Sequence, residues 1–221
     1  MKRLSMRFLF AFIICLGLAI LFGYLAAAIG NESIKHFDLA AINFIQGMEM
    51  NWLTPIIEVF TWIGSGYVVA PITIIGFILL FFVYRYRDQA FLLVTVVVGT
   101  VILNGLLKAY FKRERPEIYR IMDATGFSFP SGHTMMAFSL YTIIAYILWR
   151  NVKTTLYRVL LILFTTFMIV IISIGRIYLG VHYPSDIVGG FIASALWVSI
   201  VIAVYGFYQD HHINKKSPKY S

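Results

Sequence analysis

Six long apolar stretches dominate the pattern of this sequence. Each lacks Asp, Glu, Lys and Arg, and each is close to the roughly 20 residues that cross a bilayer as a helix. They are Phe8–Ile29, Val59–Tyr84, Ala90–Leu107, Gly132–Trp149, Val159–Gly175 and Ile187–Gln209. The pattern predicts an all-α fold, a polytopic membrane protein with six transmembrane helices in one domain, residues 1–221.

Composition supports this prediction. Apolar residues make up 60% of the chain and charged residues 13%, whereas soluble domains have about 45–50% and 25%. A water-soluble fold and a disordered chain are therefore excluded, and a single cysteine, Cys15, excludes a disulfide scaffold. The first stretch is longer than the roughly 7–15 apolar residues of a signal peptide, so we interpret it as a retained anchor.

Two segments lie outside the six stretches and their short loops. Residues 31–58 are predicted to be an extracytoplasmic connector, in which Asp38 is placed to cap a short helix carrying Leu39 and Ile42. Residues 210–221 are polar and are predicted to be a cytoplasmic tail.

The charged residues divide unequally between the two sides of the membrane. With six spans, the side of the termini holds 11 of the 18 basic residues and two acidic ones, a balance of +9. The opposite side holds seven basic and eight acidic residues, a balance of −1. Because cytoplasmic loops carry the Lys/Arg excess, both termini are predicted to be cytoplasmic. The basic residues of the cytoplasmic loops account for the net charge of +8, so a nucleic-acid partner is not required to explain it.

Basic residues on the outer side cluster after the third stretch. Lys108 and Arg115 are seven positions apart, which places them on one helical face if the helix continues, and Pro116 then ends it. Such residues either bind an anion or anchor the helix at the lipid headgroups.

A second candidate motif, Pro130-Ser131-Gly132-His133, precedes the fourth stretch. The start of a helix offers unpaired N–H groups and a partial positive charge, and glycine lets an anion approach the backbone. Ser131 and His133 add a hydroxyl and a group that exchanges protons near neutral pH. The motif indicates either a phosphate site or an ordinary N-cap.

A third candidate motif runs from Arg176 to Asp186. If Pro184 begins the sixth helix, the Asp186 carboxylate points back toward His182. A carboxylate behind an imidazole fixes its tautomer and leaves the other nitrogen as a nucleophile or base. The alternative is a helix-start carboxylate beside an interfacial histidine.

All three motifs lie on the same predicted side of the membrane, so a compact bundle brings them into one pocket. That pocket contains three cations, the backbone at Gly132 and two histidines but only one carboxylate. This set of groups suits a multiply charged oxyanion, whereas a divalent metal requires several carboxylates or a His/Asp cluster.

The three ordered motifs resemble those of the type 2 phosphatidic acid phosphatase (PAP2) superfamily, in particular its bacterial membrane lipid phosphatases. Lys108 to Arg115-Pro116, the intact Pro-Ser-Gly-His and the Arg176, His182, Asp186 spacing carry the resemblance across residues 108–186. One position departs from the family pattern, since Gly175 replaces a serine. We expect this to cost a supporting hydrogen bond and to add backbone freedom.

The resemblance implies roles for eight residues. His182 is the expected nucleophile, oriented by Asp186, and His133 the expected acid that protonates the leaving group. The expected phosphate-binding residues are Lys108, Arg115, Ser131, Gly132 and Arg176. No metal and no other cofactor is implied.

The predicted function is metal-independent hydrolysis of a lipid phosphate monoester or diphosphate at the outer face of the cell membrane. Phosphatidylglycerol phosphate, phosphatidic acid and undecaprenyl diphosphate are candidate substrates, and the sequence does not predict the oligomeric state. The alternative is a lipid phosphotransferase that uses the same phosphohistidine. A non-catalytic anion transporter would explain the cations but not the pairing of His182 with Asp186.

Overall fold

The computed structural model describes residues 2–117 and 119–216. These residues contain eight α-helices, joined by turns and loops, and no β-strands. A π-helical turn, Leu79–Val83, extends the fourth helix. The α-helices are α1 (Lys2–Gly30), α2 (Lys35–Gln46), α3 (Leu53–Ile63), α4 (Gly66–Ile78), α5 (Arg87–Phe111), α6 (Gly132–Trp149), α7 (Thr155–Tyr178) and α8 (Pro184–Lys216). The all-α fold class is confirmed.

Within the described ranges, six helical segments are long and apolar enough to cross a membrane. They are Leu9–Gly30, Gly66–Val83, Arg87–Phe111, Gly132–Trp149, Thr155–Tyr178 and Pro184–Asp210. Their 18–27 residues correspond to about 27–40 Å at about 1.5 Å per residue, against a hydrocarbon core of about 30 Å. Large apolar side chains such as Phe10 and Leu163 are more than half exposed on the outside of the bundle, as lipid-facing positions require. The protein is a multi-pass membrane protein.

The second span is shorter than the sequence predicts. The apolar stretch that starts at Val59 is broken after α3, and the span begins only at Gly66. Ser65 is extended, with φ −78° and ψ 159°, and Gly64 packs so closely on α7 that a Cβ there would lie 2.5 Å from Ile172 Cγ2. The connector therefore includes α3 and continues to Ser65, instead of ending at residue 58.

Helices α5, α6 and α8 form the centre of the bundle, where Val96, Leu140 and Ile143 are buried. Helix α6 also packs on α7, while α1 lies along α8. The end of α5, the start of α6, the end of α7 and the start of α8 lie at one end of the bundle, where the long 112–131 segment is hydrogen-bonded to the short 179–183 connection and to the start of α8. Helix α2 packs against α7 and α8 at this end.

The segment predicted as a cytoplasmic tail begins as helix. Helix α8 continues through Lys216, and residues 217–221 lie outside the described part of the chain.

Candidate active site

The end of the bundle at which α5 and α7 finish and α6 and α8 begin holds all eight residues predicted to form the site. The helices supply Lys108 in the last turn of α5, Ser131, Gly132 and His133 at the start of α6, Arg176 in the last turn of α7 and Asp186 in the first turn of α8. The connecting segments supply Arg115 and His182. Hydrogen bonds and electrostatic contacts join these elements.

His182 and Asp186 form a buried pair. The His182 Nδ1 atom lies 3.3 Å from Asp186 Oδ2, and the two side chains are 1% and 0% exposed. The backbone N–H of Tyr183 donates to the same oxygen at 2.9 Å. Gly180 makes the tight turn before His182 possible, because its φ is +71° and a Cβ there would lie 1.9 Å from the Tyr119 carbonyl oxygen.

The second imidazole nitrogen faces a guanidinium group. Arg115 Nη1 lies 3.3 Å from His182 Nε2 and also donates to the Val181 carbonyl at 2.7 Å. Since a guanidinium can only donate, Nε2 must be the acceptor, and the ring proton then lies on Nδ1 and points to Asp186. Burial lowers the pKa of His182 to about 4, and the hydrogen bond from Nδ1 to Asp186 offsets part of that shift. The ring is therefore neutral at pH 7, with a lone pair on Nε2.

The start of α6 provides hydroxyl and backbone donors. Ser131 is the N-cap of α6, and its Oγ accepts hydrogen bonds from the N–H of Thr134 at 3.4 Å and from its hydroxyl at 3.1 Å. The Ser131 hydroxyl proton remains available to a ligand. A Cβ on Gly132 would lie 3.0 Å from Asn104 Oδ1, so glycine also permits the close packing of α6 against α5.

Arg176 is a buried cation with unused donors. It is 4% exposed, its Nε has no hydrogen-bond partner among the described residues, and its Nη1 lies 3.8 Å from Met122 Sδ. Lys108 is in electrostatic contact with Arg115 and Arg176. A buried cation whose donors are unsatisfied is costly unless a ligand completes it, and an oxyanion would do so.

His133 occupies the first turn of α6 beside these cations. Its ring is partly buried and lies in the electrostatic field of Arg176, His182, Lys108 and Arg115. In the described ranges, the carboxylate hydrogen bond to a histidine is made at His182 and not at His133. The two histidines therefore occupy different electrostatic environments.

Comparison with known proteins identifies the family. The PAP2 superfamily pattern matches residues 89–210, more than half of the chain. This chain belongs to the PAP2 superfamily. Phosphatidylglycerophosphatase B of Bacillus subtilis (strain 168) is 31% identical over 192 residues, covering 86% of this chain and 92% of the relative.

Solved PAP2 structures have the same fold. The crystal structure of a transmembrane PAP2 type phosphatidylglycerolphosphate phosphatase from Bacillus subtilis superposes with a TM-score of 0.78 at 27% identity, covering 94% of this chain and 98% of that one. Aquifex aeolicus LpxE superposes with a TM-score of 0.55 at 28% identity, covering 74% and 93%. Membership of this family confirms the predicted enzyme class, a membrane lipid phosphatase.

Gly175 departs from the PAP2 pattern for a visible structural reason. It lies buried in α7 against α3, and a Cβ there would be 2.8 Å from Thr61 Oγ1 and 3.0 Å from Ile57 Cγ2. Thr61 thus fills the space that a serine side chain would need. Sequence reasoning predicts a lost hydrogen bond and added backbone freedom, whereas the structure shows that the glycine permits a close contact between α7 and α3.

Three residues near the PAP2 motifs were not predicted as part of the site: Asp38, Arg113 and Ser185. The predicted capping role of Asp38 is wrong, because Ile34 is the N-cap of α2 and the Asp38 carboxylate accepts hydrogen bonds from Ser185 and Arg113 instead. Arg113 could have been predicted to lie near the site, because it comes two residues before Arg115 in the sequence. Asp38 has no such signal, since its partner Arg113 is 75 residues away.

Metal ligands do not cluster in the described residues. Within 2–117 and 119–216, no group of three or more His, Cys, Asp or Glu side chains is arranged to hold a metal ion. The donors around His182 are cations and backbone groups, which suit an anion.

Proposed function

We propose that this protein hydrolyses a lipid phosphate monoester or diphosphate through a phosphohistidine on His182, without a metal ion. The observation that carries the proposal is the environment of the His182 ring. Asp186 accepts from Nδ1 on one side, and the Arg115 guanidinium adjoins Nε2 on the other, near the buried Arg176, whose Nε has no hydrogen-bond partner among the described residues. This arrangement suits nucleophilic attack on a phosphoryl group.

In the first step, the lone pair on His182 Nε2 forms a bond to phosphorus as the bond from phosphorus to the lipid oxygen breaks. His133 donates a proton to the departing oxygen, and Asp186 stabilises the positive charge that develops on the His182 ring. Arg115, already 3.3 Å from Nε2, contacts the phosphoryl oxygens together with Lys108 and Arg176. These cations stabilise the negative charge that spreads over the oxygens in the transition state.

In the second step, water attacks phosphorus and breaks its bond to Nε2. His133, which lost its proton in the first step, accepts one from this water, and inorganic phosphate leaves. Both histidines then return to their starting protonation states, so the cycle balances without another reactant.

Phosphatidylglycerol phosphate is the substrate we favour. The Bacillus subtilis relative that aligns with 86% of this chain is named phosphatidylglycerophosphatase B. Phosphatidic acid and undecaprenyl diphosphate offer the same terminal phosphate and belong in the same assay. A lipid A 1-phosphatase of Rhizobium etli, 31% identical over 51% of this chain and 48% of its own length, adds lipid A to the panel.

We place this reaction at the extracytoplasmic face of the cell membrane, with both termini in the cytoplasm. Support comes from the excess of basic residues on the side of the termini, because cytoplasmic loops carry the Lys/Arg excess. With six spans, the loops that carry the motifs lie on the opposite side from the termini.

The test uses the purified full chain in detergent or bilayers with each candidate lipid, labelled with ³²P in the terminal phosphate. We expect release of inorganic phosphate, transient label on the wild-type protein and no label on His182→Ala. Asp88→Asn is a matched control, since this carboxylate also accepts side-chain hydrogen bonds but lies near the start of α5, at the opposite end of that helix from Lys108. Activity should persist in EDTA and be inhibited by vanadate.

Three results would contradict parts of this proposal. Detection of ³²P label on His182→Ala would show that the phosphohistidine does not form on His182. Transfer of the label to a second lipid or sugar, without phosphate release, would make the enzyme a phosphotransferase. Loss of activity in EDTA, restored by magnesium, would show that the reaction needs a metal.

A further inference from the structure

Asp38 is a buried carboxylate on α2, outside the three motifs. Its side chain is 1% exposed. The Ser185 backbone N–H donates to Oδ1 at 2.8 Å, and the Ser185 hydroxyl donates to Oδ2 at 2.6 Å. Asp38 therefore contacts the residue that immediately precedes Asp186 in α8.

Arg113 joins the two buried carboxylates. Its Nη2 lies 2.8 Å from Asp38 Oδ2, and its Nη1 lies 2.7 Å from Asp186 Oδ1. The guanidinium also stacks over the Tyr183 ring, 4.1 Å from the ring centroid. Hydrogen bonds in two directions and a stacked ring hold this planar group in one orientation, which a lysine would not reproduce.

The two oxygens of Asp186 have separate partners. Oδ1 accepts from Arg113, and Oδ2 accepts from the Tyr183 N–H and faces His182 Nδ1. With Oδ1 occupied by Arg113, rotation of the carboxylate away from the histidine would break a charged hydrogen bond. Without Arg113, two buried carboxylates would lie near each other with no counterion between them, which is strongly unfavourable.

We propose that Arg113 and Asp38 are positioning residues, which act through Asp186 to hold its carboxylate aligned with His182. The inference rests on the proposed nucleophilic role of His182 and extends it to α2, whose contact with the catalytic pair the motifs do not include. Neither residue needs to touch the substrate.

The pH profile distinguishes this role from simple structural support. The charged and titratable groups around the His182–Asp186 pair are Lys108 of α5, Asp38 of α2, His133 of α6, Arg176 of α7, Arg113 and Arg115 of the segment after α5, and Tyr183 before α8. Loss of a positive charge here raises the pKa of His182, and loss of a negative charge lowers it. Changes at Arg113 and Asp38 should therefore move the acid limb of the activity in opposite directions.

The experiment measures kcat and KM against pH, with one lipid phosphate, for the full chain and four variants. Arg113→Gln should move the acid limb of kcat to higher pH and lower kcat by about 10–100-fold, as loss of the partners that orient metal-ligating histidines does. Asp38→Asn should move the limb to lower pH and also lower kcat. Asp38→Asn combined with Arg113→Gln should bring the limb back toward its wild-type position.

Arg113→Lys separates charge from geometry. It should leave the acid limb near its wild-type position but lower kcat, because the ammonium keeps the charge and loses the two-direction contact. KM should change less than kcat in every variant. If Arg113→Gln does not fold, two measurements still test the inference: the shift of the acid limb to lower pH in Asp38→Asn and the loss of kcat in Arg113→Lys.

Two controls separate this inference from the proposed function. Asp88→Asn should match the wild type in kcat and in its acid limb. An active His182→Ala would overturn the proposed nucleophile. Two results would overturn the positioning role alone. The first is wild-type kcat in Asp38→Asn and Arg113→Lys while His182→Ala is inactive. The second is a shift of the acid limb in the same direction in Asp38→Asn and Arg113→Gln.

Discussion

Gly175→Ser restores the serine of the PAP2 pattern, and we expect it to destabilise this protein. A Cβ at Gly175 would lie 2.8 Å from Thr61 Oγ1 and 3.0 Å from Ile57 Cγ2. Both distances are shorter than ordinary contacts of about 3.5–4.0 Å. Both partners are buried side chains of α3, so relief requires α3 to shift or Thr61 to change rotamer.

The magnitude follows from two opposing effects. Overpacking a tight contact costs about 1–3 kcal/mol, whereas replacing glycine by serine inside a helix returns about 0.5 kcal/mol in helix propensity. The net loss is then about 0.5–2.5 kcal/mol, which lowers Tm by about 1–10 °C for a chain of this length.

The assay is thermal unfolding of the purified variants in one detergent. Gly23→Ser is the matched control, because Gly23 lies in a spanning helix and a Cβ there meets nothing within 4 Å. Thr61→Ala should recover part of the loss in the Gly175→Ser background, since Thr61 Oγ1 is the closer contact and has no hydrogen-bond partner of its own within the described structure. A Tm for Gly175→Ser equal to or above that of Gly23→Ser, or no recovery with Thr61→Ala, would refute this reasoning.

Three further predictions concern the reaction and its side of the membrane. With a pKa of about 4 for His182, the ring stays neutral as pH falls from 7 to 5, so kcat/KM corrected for substrate titration should stay level there; an acid limb centred near 6.5 would contradict this. His133→Ala should lose about 10²–10⁴-fold activity on a phospholipid monoester and less on p-nitrophenyl phosphate, whose leaving group needs no proton; equal losses would argue against an acid role. In a Cys15→Ser background, Asp123→Cys but not Asn151→Cys should react with an impermeant thiol reagent outside intact cells; the reverse labelling would place the site in the cytoplasm.

Hydropathy predicted the spans because a helix that crosses the bilayer must be apolar over about 20 residues. The fourth span, Gly132–Trp149, has the same bounds in the sequence and in the structure, where Ser131 caps it. Hydropathy failed between Val59 and Gly66 because the end of α3, the turn and the start of α4 form one stretch without a charged residue. The turn at Gly64 and Ser65 changes the direction of the chain without adding a charged residue.

The sequence motifs predicted which residues meet at this end of the bundle, but they did not show which contacts hold them in place. The spacing between His182 and Asp186 is local, so helix geometry alone could predict that the two meet. The contact between Asp38 and Arg113 joins residues 75 positions apart, and depends on α2 packing at the start of α8. Such packing is a property of the assembled bundle, and a lone carboxylate in an apolar helix does not identify its partner.

Charge is distributed unevenly around the His182 ring, and this has a consequence for specificity. Asp186 and the Arg113–Asp38 pair lie on the Nδ1 side, whereas Arg115 adjoins Nε2 and Arg176 retains an unpartnered Nε. A phosphate monoester or a terminal diphosphate group brings up to two negative charges and several free oxygens to these donors. A phosphodiester brings one charge and fewer free oxygens to the buried Arg176 guanidinium, and a buried donor that stays unpaired costs about 1–3 kcal/mol. We therefore expect the site to favour terminal phosphates over the diester bonds that join the headgroups of ordinary phospholipids.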